Sequence, residues 1–505
     1  MLASILMTAA TLAACTSLSV SPQGVTEWTD APTRATSAAG YDAIKGKGRR
    51  QAPSSATMHE DRHLNSAQRR QAIGGVRDLR RNSSLVDWMI RRHLDYVASF
   101  RFQGASPDRT FNEELEAWLL EESRPNRFDV RGVLSLPRFV RLCEAMAVLD
   151  GDIGTVFIEA NTGRLQGIEA DRVCDPTRSW TGDWVNSKDE WYNGVRVDAD
   201  TGRRIEYAVH RRRAGYSGLE YERSIPAGNF HLHGYLSRFD QVRGISPLMS
   251  AYNQLRDVYE AEEYALVRSK AASMMLMAVK RSLDSPLGEK LYELDENGEP
   301  IPSTYQVDAG RGPIFLDMDP GDEAQMLDSD NPGANLQEFW KFVSLLALKA
   351  LDLPYGLFDE SANNFFGNKT AWLGYDRACE DKRDNVRALL DRITTFKLRV
   401  AIKQKQISLP KTDGRQLTLA DTPWRWVARK MPWWRPLEEV TAYLKAIEGG
   451  LTTPQRVCAE ADQGDWYDNM DQIALAIEYA RKKGVPLNWA VNSDLAASVA
   501  ANRTA

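Results

Sequence analysis

The chain lacks the sequence patterns by which most metalloproteins and nucleotide-dependent enzymes are recognised. It has five widely separated cysteines and no Cys-x-x-Cys pair: Cys15, Cys143, Cys174, Cys379 and Cys458. This spacing favours reduced thiols in a cytosolic setting over a disulfide framework or a zinc site. The turn Gly151-Asp152-Ile153-Gly154 lacks the other residues of a phosphate-binding fingerprint. We therefore expect no catalytic residues, no cofactor and no metal.

A long hydrophobic run is also missing. Residues 1–26 carry no charge, but they are too short and too rich in Ser and Thr to span a bilayer. A signal peptide would also need a basic segment in front of them. Leu12-Ala13-Ala14-Cys15 nevertheless matches a lipoprotein cleavage box, so a lipid-anchored bacterial envelope protein is the alternative interpretation. The Ser, Thr, Ala, Pro and Gly content of residues 1–65 predicts a flexible tail.

A strong charge of one sign is missing too. The net charge is −5, so the surface as a whole does not resemble that of a DNA-coating protein. Any contact with nucleic acid must be local or weak. Hydrophobic residues make up 43% and charged residues 26% of the 505 residues, which is typical of a soluble protein with about three domains.

The most informative stretch of the chain runs from residue 336 to residue 405. Apolar side chains recur there every three or four positions, which predicts one buried helical face: Leu336, Phe339, Trp340, Val343, Leu346, Ala347, Ala350 and Leu351. Pro354 ends this helix because proline has no N–H group to donate. Residues 356–368 are rich in Gly, Asn and Ser, which predicts a loop. A second helix of roughly 35 residues, about 50 Å long, follows as far as Lys405.

The flanking regions predict a mixed fold. A helix is expected over residues 66–98, with a break at Gly74-Gly75 or at Asn82-Ser83-Ser84. Further helices lie within residues 111–150. After Gly151 the pattern changes to short β-prone runs separated by turns such as Asn161-Thr162-Gly163. These runs predict an antiparallel sheet. The expected fold class is α+β, mainly α.

Four segments carry a family resemblance when they are taken together in chain order over roughly residues 40–485. They are residues 77–83, 165–172, 241–248 and 345–355, the last followed by the Asn-Phe-Phe-Gly-Asn-Lys loop. In this respect the chain resembles tailed-bacteriophage portal proteins of the lambda type.

The resemblance implies a portal fold whose long helices surround a central channel. Its expected divisions are a tail (1–65), a wing of helices and antiparallel sheet (66–245), a first stem helix (246–281), a clip (282–335), a second stem helix (336–355), a tunnel loop (356–368), a long wing helix (369–416), a helical crown region (417–490) and a disordered tail (491–505).

The resemblance also implies a function and partners. The chain would be a ring-forming subunit, in a dodecamer, at one capsid vertex, and the ring would form the channel for DNA packaging and ejection. Its partners would be double-stranded DNA bound without sequence preference, the terminase large subunit, a head–tail adaptor, and the major capsid and scaffold proteins. It would assemble in the host cytoplasm and use no membrane.

Two sets of candidate contact residues follow from this resemblance. Asn363, Asn364 and Lys369 lie at the expected tunnel loop, where they would touch DNA phosphates loosely. Lambda-type relatives tend to carry Arg where this chain has Lys369, and lysine keeps the charge without the bidentate fork. In the clip, the expected adaptor-facing residues are Asp295, Asn297 and Glu299.

Two features invite an enzymatic interpretation. His231 and His233 alternate along a strand and would point to one face, as two metal ligands do, but no third ligand follows, which favours packed or paired histidines. A carboxylate-dependent hydrolase would draw on acidic residues that turn and rim positions explain better: Glu159, Glu169, Asp171 and Asp175.

Overall fold

A computed structural model describes most of the chain: residues 16–20, 26–30, 41, 59–158, 163–176, 190–213, 218–274, 278–281, 322–325, 334–359, 365–412, 415–416, 418–429 and 435–485. These residues fall into two compact units. The first takes its residues from 1–78, 90–249 and 373–505, and the second from 79–89 and 250–372.

The expected fold class is confirmed, because helices dominate and short sheets accompany them. The helices are α1 Glu60–His63, α2 Ser66–Asn82, α3 Ser84–Val97, α4 Arg109–Glu122, α5 Pro125–Phe128, α6 Leu136–Asp150, α7 Tyr252–Met274, α8 Ala334–Leu348, α9 Phe365–Lys403, α10 Pro436–Glu448, α11 Pro454–Glu460 and α12 Trp466–Lys483. Of the two expected break points, the one at Asn82 is confirmed, because α2 ends there and α3 begins two residues later. The other was wrong, because α2 continues through Gly74 and Gly75.

The strands are short, and they pair with one another antiparallel. They are β1 Thr16–Val20, β2 Thr26–Asp30, β3 Phe100–Gly104, β4 Asp152–Ile158, β5 Arg164–Glu169, β6 Glu190–Tyr192, β7 Val195–Val197, β8 Arg204–Arg212, β9 Leu219–Pro226, β10 Phe230–Gly234, β11 Ala278–Arg281, β12 Asp322–Gln325, β13 Lys411–Thr412, β14 Arg415–Gln416 and β15 Trp424–Ala428.

The predicted antiparallel sheet is present as two sheets in the first unit. One has the strand order β10-β4-β5 and the other β6-β7-β8-β9. Apolar side chains from both sheets share one core cluster that includes Ile168, Val195, Val209 and Phe230. Alternation of side chains along each strand places these residues on the inward faces.

Within the expected tail, residues 1–65, the structure contains two elements that the composition did not predict. β1 pairs with β2 as a hairpin, and α1 lies within the last residues of the range. The hairpin sequences contain the β-branched residues that favour extended backbone, Thr16, Val20, Thr26 and Thr29. Overall composition predicted a tail because it averaged over these short runs.

The first expected stem helix, residues 246–281, differs from the structure at both ends. It begins with a 3-10 turn, Pro247–Ala251, before α7. It stops at Met274, and Ala278–Arg281 forms β11, paired with β12. The partner strand lies about 40 residues further along the chain, so the local pattern could not reveal it.

The second expected stem helix, residues 336–355, is shorter than expected. α8 ends at Leu348 and a 3-10 turn leads to Asp352, which adopts a left-handed conformation with φ 61°. The amide of Leu353 then donates to the carbonyl of Leu348 at 3.1 Å. This closing hydrogen bond ends the helix before Pro354.

The long second helix of the central stretch is confirmed, with corrected bounds. α9 spans 39 residues, about 58 Å at 1.5 Å per residue. It begins at Phe365, inside the expected loop 356–368, because the weak helix propensity of Gly367 and Asn368 is overridden by the rest of the segment. It ends well before residue 416, since Lys405 takes a left-handed φ of 59° and breaks the helical hydrogen bonding.

The expected crown region, residues 417–490, is not entirely helical. β15 pairs with β3, so Trp424 stands opposite Gly104 and Ala428 opposite Phe100. Trp426 and Phe102 meet edge to face, with ring centroids 5.1 Å apart. α10, α11 and α12 then follow, and α12 buries only Ala480.

The long helix α9 is tied into the first unit by buried polar contacts. Lys397 Nζ donates to Glu122 Oε2 at 3.0 Å and to the carbonyl of Arg127 at 2.8 Å. Arg383 Nε donates to the carbonyl of Tyr96 at 2.9 Å. None of the helices in the described part of the chain combines the length and apolar content that crossing a membrane would need.

Candidate functional site

The expected contact residues are only partly within the described chain. Lys369 lies in the first turns of α9, half-buried. Asn363 and Asn364 lie outside the described residues, and so do the clip residues Asp295, Asn297 and Glu299. Cys15, on which the lipid-anchored alternative depends, lies outside them as well.

The best-built polar site of the first unit centres on Arg243, in the segment 241–248. Its guanidinium is fully buried and pairs with Asp152 through two bonds, from Nε to Oδ2 and from Nη2 to Oδ1, both 2.8 Å long. The remaining donors bind backbone carbonyls: those of Val173 at 2.8 Å, Ala170 at 3.0 Å, and Asn193. These bonds require several N–H donors in the plane of one guanidinium group, and a lysine side chain does not have them.

Two further side chains complete this cluster. Arg69, from α2, donates to Asp152 Oδ2 at 3.0 Å and to the carbonyl of Gly244 at 2.8 Å. Asp61, from α1, accepts from the backbone amides of Val242 at 2.7 Å and Arg243 at 3.0 Å. The segment 241–248 is therefore joined to α1, α2, β4 and the turns after β5 by buried hydrogen bonds.

The charges of this cluster offset one another. Burial alone would raise the pKa of Asp152, but the charges of Arg243 and Arg69 outweigh it and hold that pKa below its usual value. Burial, with the charge of Arg243, lowers the pKa of Arg69 to about 10. Asp152, Arg69 and Arg243 therefore all stay charged at neutral pH. Their ion pairs can then hold the surrounding segments together.

Small residues allow the backbone to close around the cluster. A Cβ atom on Gly244 would lie 2.1 Å from the carbonyl oxygen of Gly151. Gly151 has a φ of 94°, a conformation that L side chains rarely adopt. Ser246 Oγ donates to the carbonyl of Val148 at 2.6 Å. Gln241 Nε2 donates to the carbonyl of Arg243 at 2.7 Å. The polar side chains of segment 241–248, those of Gln241, Arg243 and Ser246, therefore all make structural hydrogen bonds.

A second buried cluster surrounds Glu144, on α6. His93 Nε2 lies 2.7 Å from Glu144 Oε1, and His233 Nε2 lies 2.8 Å from Glu144 Oε2. The hydroxyl of Tyr235 also donates to Glu144. Burial alone would raise the pKa of Glu144, but the hydrogen bonds and charges of the two histidines lower it well below its usual range.

The expectation that the strand histidines are packed or paired is therefore confirmed for His233. For the neighbouring His231, burial and the charge of His233 lower the pKa to about 3, so its ring is neutral at physiological pH. Within the described residues, no group of three or more His, Cys, Asp and Glu side chains is arranged to hold a metal ion.

The carboxylates of the hydrolase interpretation have structural partners. Asp171 lies 3.1 Å from Arg77 and 2.9 Å from Arg212. Asp175 accepts from the amide of Gly194 at 2.6 Å, and Glu169 pairs with Arg212. Glu159 lies outside the described residues. These contacts favour turn and rim positions, as the sequence suggested.

The second unit presents an unusual apolar surface. α7 and α8 pack together there, and α8 buries Val343, Ala347 and Leu348 on one side. Large side chains on the other faces are exposed to water by 39% to 71%: Tyr259, Tyr264, Leu266, Val267, Phe339, Phe342 and Leu346. We call these seven residues the stem face.

The family model "Phage portal protein, lambda family" matches residues 47–381, about two-thirds of the chain. The chain belongs to the lambda family of phage portal proteins. The match includes both buried clusters of this portal protein.

Solved structures with a remote similarity come from gene transfer agent (GTA) particles. The neck of an empty GTA particle, computed with C6 symmetry, gives a chain with 11% identity and a TM-score of 0.46, over 77% of this chain and 94% of that one. A chain from the virion of a native GTA particle has 12% identity and a TM-score of 0.44, over 79% of this chain and 99% of that one. The family assignment does not depend on these similarities. No curated protein sequence matches the chain.

The sequence pattern did not single out the residues that build the two clusters. Arg243 lies in segment 241–248, which resembles the family, but the pattern indicated no function for its side chain. Asp152 was considered only as part of a phosphate-binding turn. Glu144 offered one available signal, since it is a charged residue within the apolar run of α6, and a charge in such a place is buried only with partners.

Proposed function

We propose that this portal protein assembles with further copies of itself into a dodecameric ring around a channel for double-stranded DNA. The ring would sit at one capsid vertex and act in DNA packaging and ejection. The subunit would contribute no chemistry, and a separate motor would hydrolyse ATP. This proposal combines the family membership with one observation on the second unit.

That observation is the stem face. Seven large apolar side chains on two packed helices are exposed in the single chain. On α8, Phe339, Phe342 and Leu346 have the spacing of one side of a helix, and exposed apolar patches on soluble proteins often mark interaction sites. α7 also carries exposed charged residues, among them Arg256, Asp257 and Glu262. A neighbouring copy that packs beside each subunit would cover the exposed apolar side chains. A head-to-tail contact of this kind generates a ring when the rotation between neighbouring copies closes.

Electron microscopy of negatively stained full-length protein, together with its mass in solution, tests the proposal directly. We expect rings with a central hole and a mass twelve times the 56.8 kDa of one chain. A protein that stayed monomeric at every concentration and salt condition would overturn the proposal.

A pair of variants tests whether the stem face makes the contact. Phe342→Glu places a charge where the neighbouring copy would pack, so we expect loss of rings with an unchanged helical circular dichroism spectrum. Gln337→Glu introduces the same side chain at another exposed position of α8, about 140° around the helix axis. Rings that form equally well with both variants would exclude the stem face as the contact.

The partners and contact residues are also part of the proposal. The expected clip residues Asp295, Asn297 and Glu299 would face the head–tail adaptor, and Asn363, Asn364 and Lys369 would meet DNA in the channel. Terminase, major capsid protein and scaffold would bind other surfaces during assembly in the host cytoplasm. Alanine substitution of the clip residues should abolish adaptor binding by preformed rings and leave terminase binding intact, whereas loss of both would indicate a misfolded ring.

A further inference from the structure

Strand β10 carries an unusual concentration of histidine. The chain has six histidines, and His231 and His233 both lie on this strand of five residues. A third, His93 on α3, approaches the same place, because its ring and that of His233 contact the two oxygens of Glu144. Tyr235 follows β10 directly and donates to the same carboxylate. We call His93, Glu144, His233 and Tyr235 the Glu144 cluster.

The two histidines of the Glu144 cluster are closed to water. His93 and Glu144 are fully buried, and His233 is 1% exposed. Both rings present Nε2 to the carboxylate, whereas both Nδ1 atoms are buried and have no hydrogen-bond partner among the described residues. A neutral ring with its hydrogen on Nε2 leaves only a lone pair at Nδ1. A charged ring would place an N–H group there without an acceptor, which is costly in a buried site.

The charges of the cluster limit the number of protons that it can bind. One carboxylate neutralises one charged imidazole ring. A second charged ring would give the buried cluster a net positive charge, and burial of an unpaired charge is unfavourable. The packed state therefore favours at most one charge on His93 and His233 together. The neighbouring His231 is uncharged in this state, since burial and the charge of His233 lower its pKa to about 3.

Other titratable groups around these rings do not supply a second counter-charge. The groups are Cys143 on α6, Tyr235 after β10, Tyr375 and Cys379 on α9, and Arg204 and Arg392 near His231. Burial raises the pKa of the Cys143 thiol to about 12 and also raises the pKa of both tyrosines and of Cys379, so all four are neutral in acid. The two arginines oppose a charge on His231. In the described part of the chain, Glu144 is the one carboxylate that hydrogen-bonds His93 and His233.

The position of β10 in its sheet allows it to open locally. It is a terminal strand in the order β10-β4-β5, so within the sheet its backbone pairs with β4 alone. Side chains of α9 meet the backbone on either side of the strand through single hydrogen bonds, from Arg392 to the carbonyl of Gly228 at 2.7 Å and from Asn385 to that of Gly234 at 3.0 Å. A segment held in this way can separate at a lower free energy than global unfolding requires.

We propose that β10 is an acid-sensitive strand, which separates from β4 when its histidines take up protons. Histidine in water gains its proton between about pH 8 and pH 5. Once β10 has separated, water reaches the cluster and His93, His231 and His233 can all be charged, whereas the packed state favours at most one charge. The open state therefore binds more protons, and its population rises as the pH falls. This property belongs to the single subunit and does not depend on the proposed ring.

Hydrogen exchange of the full-length protein, monitored by mass spectrometry from pH 7 to pH 5.5, tests the proposal. After division by the intrinsic exchange rate at each pH, exchange of the amides of Phe230–Gly234 should rise by about tenfold or more. The amides of Phe100–Gly104, on a strand without histidine, should show a much smaller rise. Unchanged exchange in β10 would overturn the proposal, and so would an equal rise in both strands, because that would be general unfolding in acid.

A triple variant tests whether the histidines cause the effect. In His93→Gln, His231→Gln, His233→Gln each glutamine can still donate from Nε2 but takes up no proton, so the rise in β10 exchange between pH 7 and pH 5.5 should disappear. His63→Gln, on α1, is the matched control and should keep the full rise. An equal rise in the triple variant and the wild type would overturn the proposal. If circular dichroism shows that the triple variant does not fold, the wild-type series decides.

Discussion

At the scale of single residues, Arg243 illustrates how a buried charge can specify a fold. Its guanidinium is fully buried and pairs with one carboxylate and three backbone carbonyls. Removal of one partner from such a pair leaves an uncompensated buried charge, which costs far more than loss of an exposed pair. The energetic importance of Arg243 therefore comes from its surroundings and not from its charge alone.

Arg243→Lys should lower the free energy of unfolding by at least about 3 kcal/mol, because lysine cannot reproduce the bidentate bond to Asp152. Urea denaturation followed by circular dichroism measures this change. Arg211→Lys is the matched control, since Arg211 pairs with Glu220 on the surface and should shift stability by less than about 1 kcal/mol. Equal effects of the two substitutions would contradict the role given to Arg243.

Glu144 leads to a prediction about pH. Because its pKa in the folded state lies below the ordinary value near 4.5, its ionised form stabilises the fold fully above that pH. The contribution is lost as the pH falls further, through the pKa of the folded state. Glu144→Gln should therefore reduce stability by about 1–3 kcal/mol at neutral pH, because the charge is lost and one carboxylate oxygen becomes an NH2 group that cannot accept, which leaves a buried donor without its acceptor.

The measurement is the difference in unfolding midpoint between wild type and Glu144→Gln, taken from neutral pH down to pH values below about 4.5. We expect the difference to shrink on acidification. The exposed Glu114→Gln serves as the control and should show no such trend. A constant difference across the range would mean that the ionised state of Glu144 does not stabilise the fold.

At the scale of secondary-structure elements, the pairing of β15 with β3 joins segments more than 300 residues apart. Trp426 is 8% exposed and packs edge to face on Phe102. Trp426 therefore contributes to the core of the first unit.

Trp426→Ala should destabilise the first unit by about 3–5 kcal/mol because it leaves a cavity beside Phe102. Hydrogen exchange monitored by mass spectrometry should show faster exchange for the amides of Phe100–Gly104. Arg425→Ala alters the exposed neighbour on the opposite face of β15 and should leave that exchange rate unchanged. Unchanged exchange in the tryptophan variant would show that β3 is held by other contacts.

At the scale of the whole molecule, the net charge of −5 matters for a protein that would surround DNA. A wall that neutralised many phosphates would bind the duplex tightly and in a salt-dependent manner. α7 carries exposed acidic residues, including Glu262 and Glu263. Such residues in a channel wall would keep the interaction with DNA weak enough for translocation.

Rings of the double variant Glu262→Lys, Glu263→Lys should retain double-stranded DNA at higher salt than wild-type rings do. The slope of log binding constant against log salt concentration should become more negative. Filter binding over a salt series measures both. The control is the double variant Glu113→Lys, Glu114→Lys, which makes the same charge change on α4. If both double variants retained DNA equally well, a position of Glu262 and Glu263 in the channel wall would be excluded.

A structural feature can be predicted from the sequence when it depends on residues that are close together along the chain. The helices of the central stretch follow from the recurrence of apolar residues within a few turns. On α6, Leu142 is apolar yet 45% exposed, whereas the charged Glu144 is fully buried. A buried glutamate is tolerated only because His93, His233 and Tyr235 approach it from elsewhere in the chain, and local periodicity does not contain that information.

The sequence by itself determined the fold class, the long helices of the central stretch and the family, because these depend on local periodicity and on short segments in a fixed order. Only the tertiary structure decided which charged residues are buried, where α9 begins, and that β15 completes a sheet with β3. The physical reason is that the burial of a charge, and the pairing of an isolated strand, are favourable only when partners distant in the chain supply the hydrogen bonds lost from water.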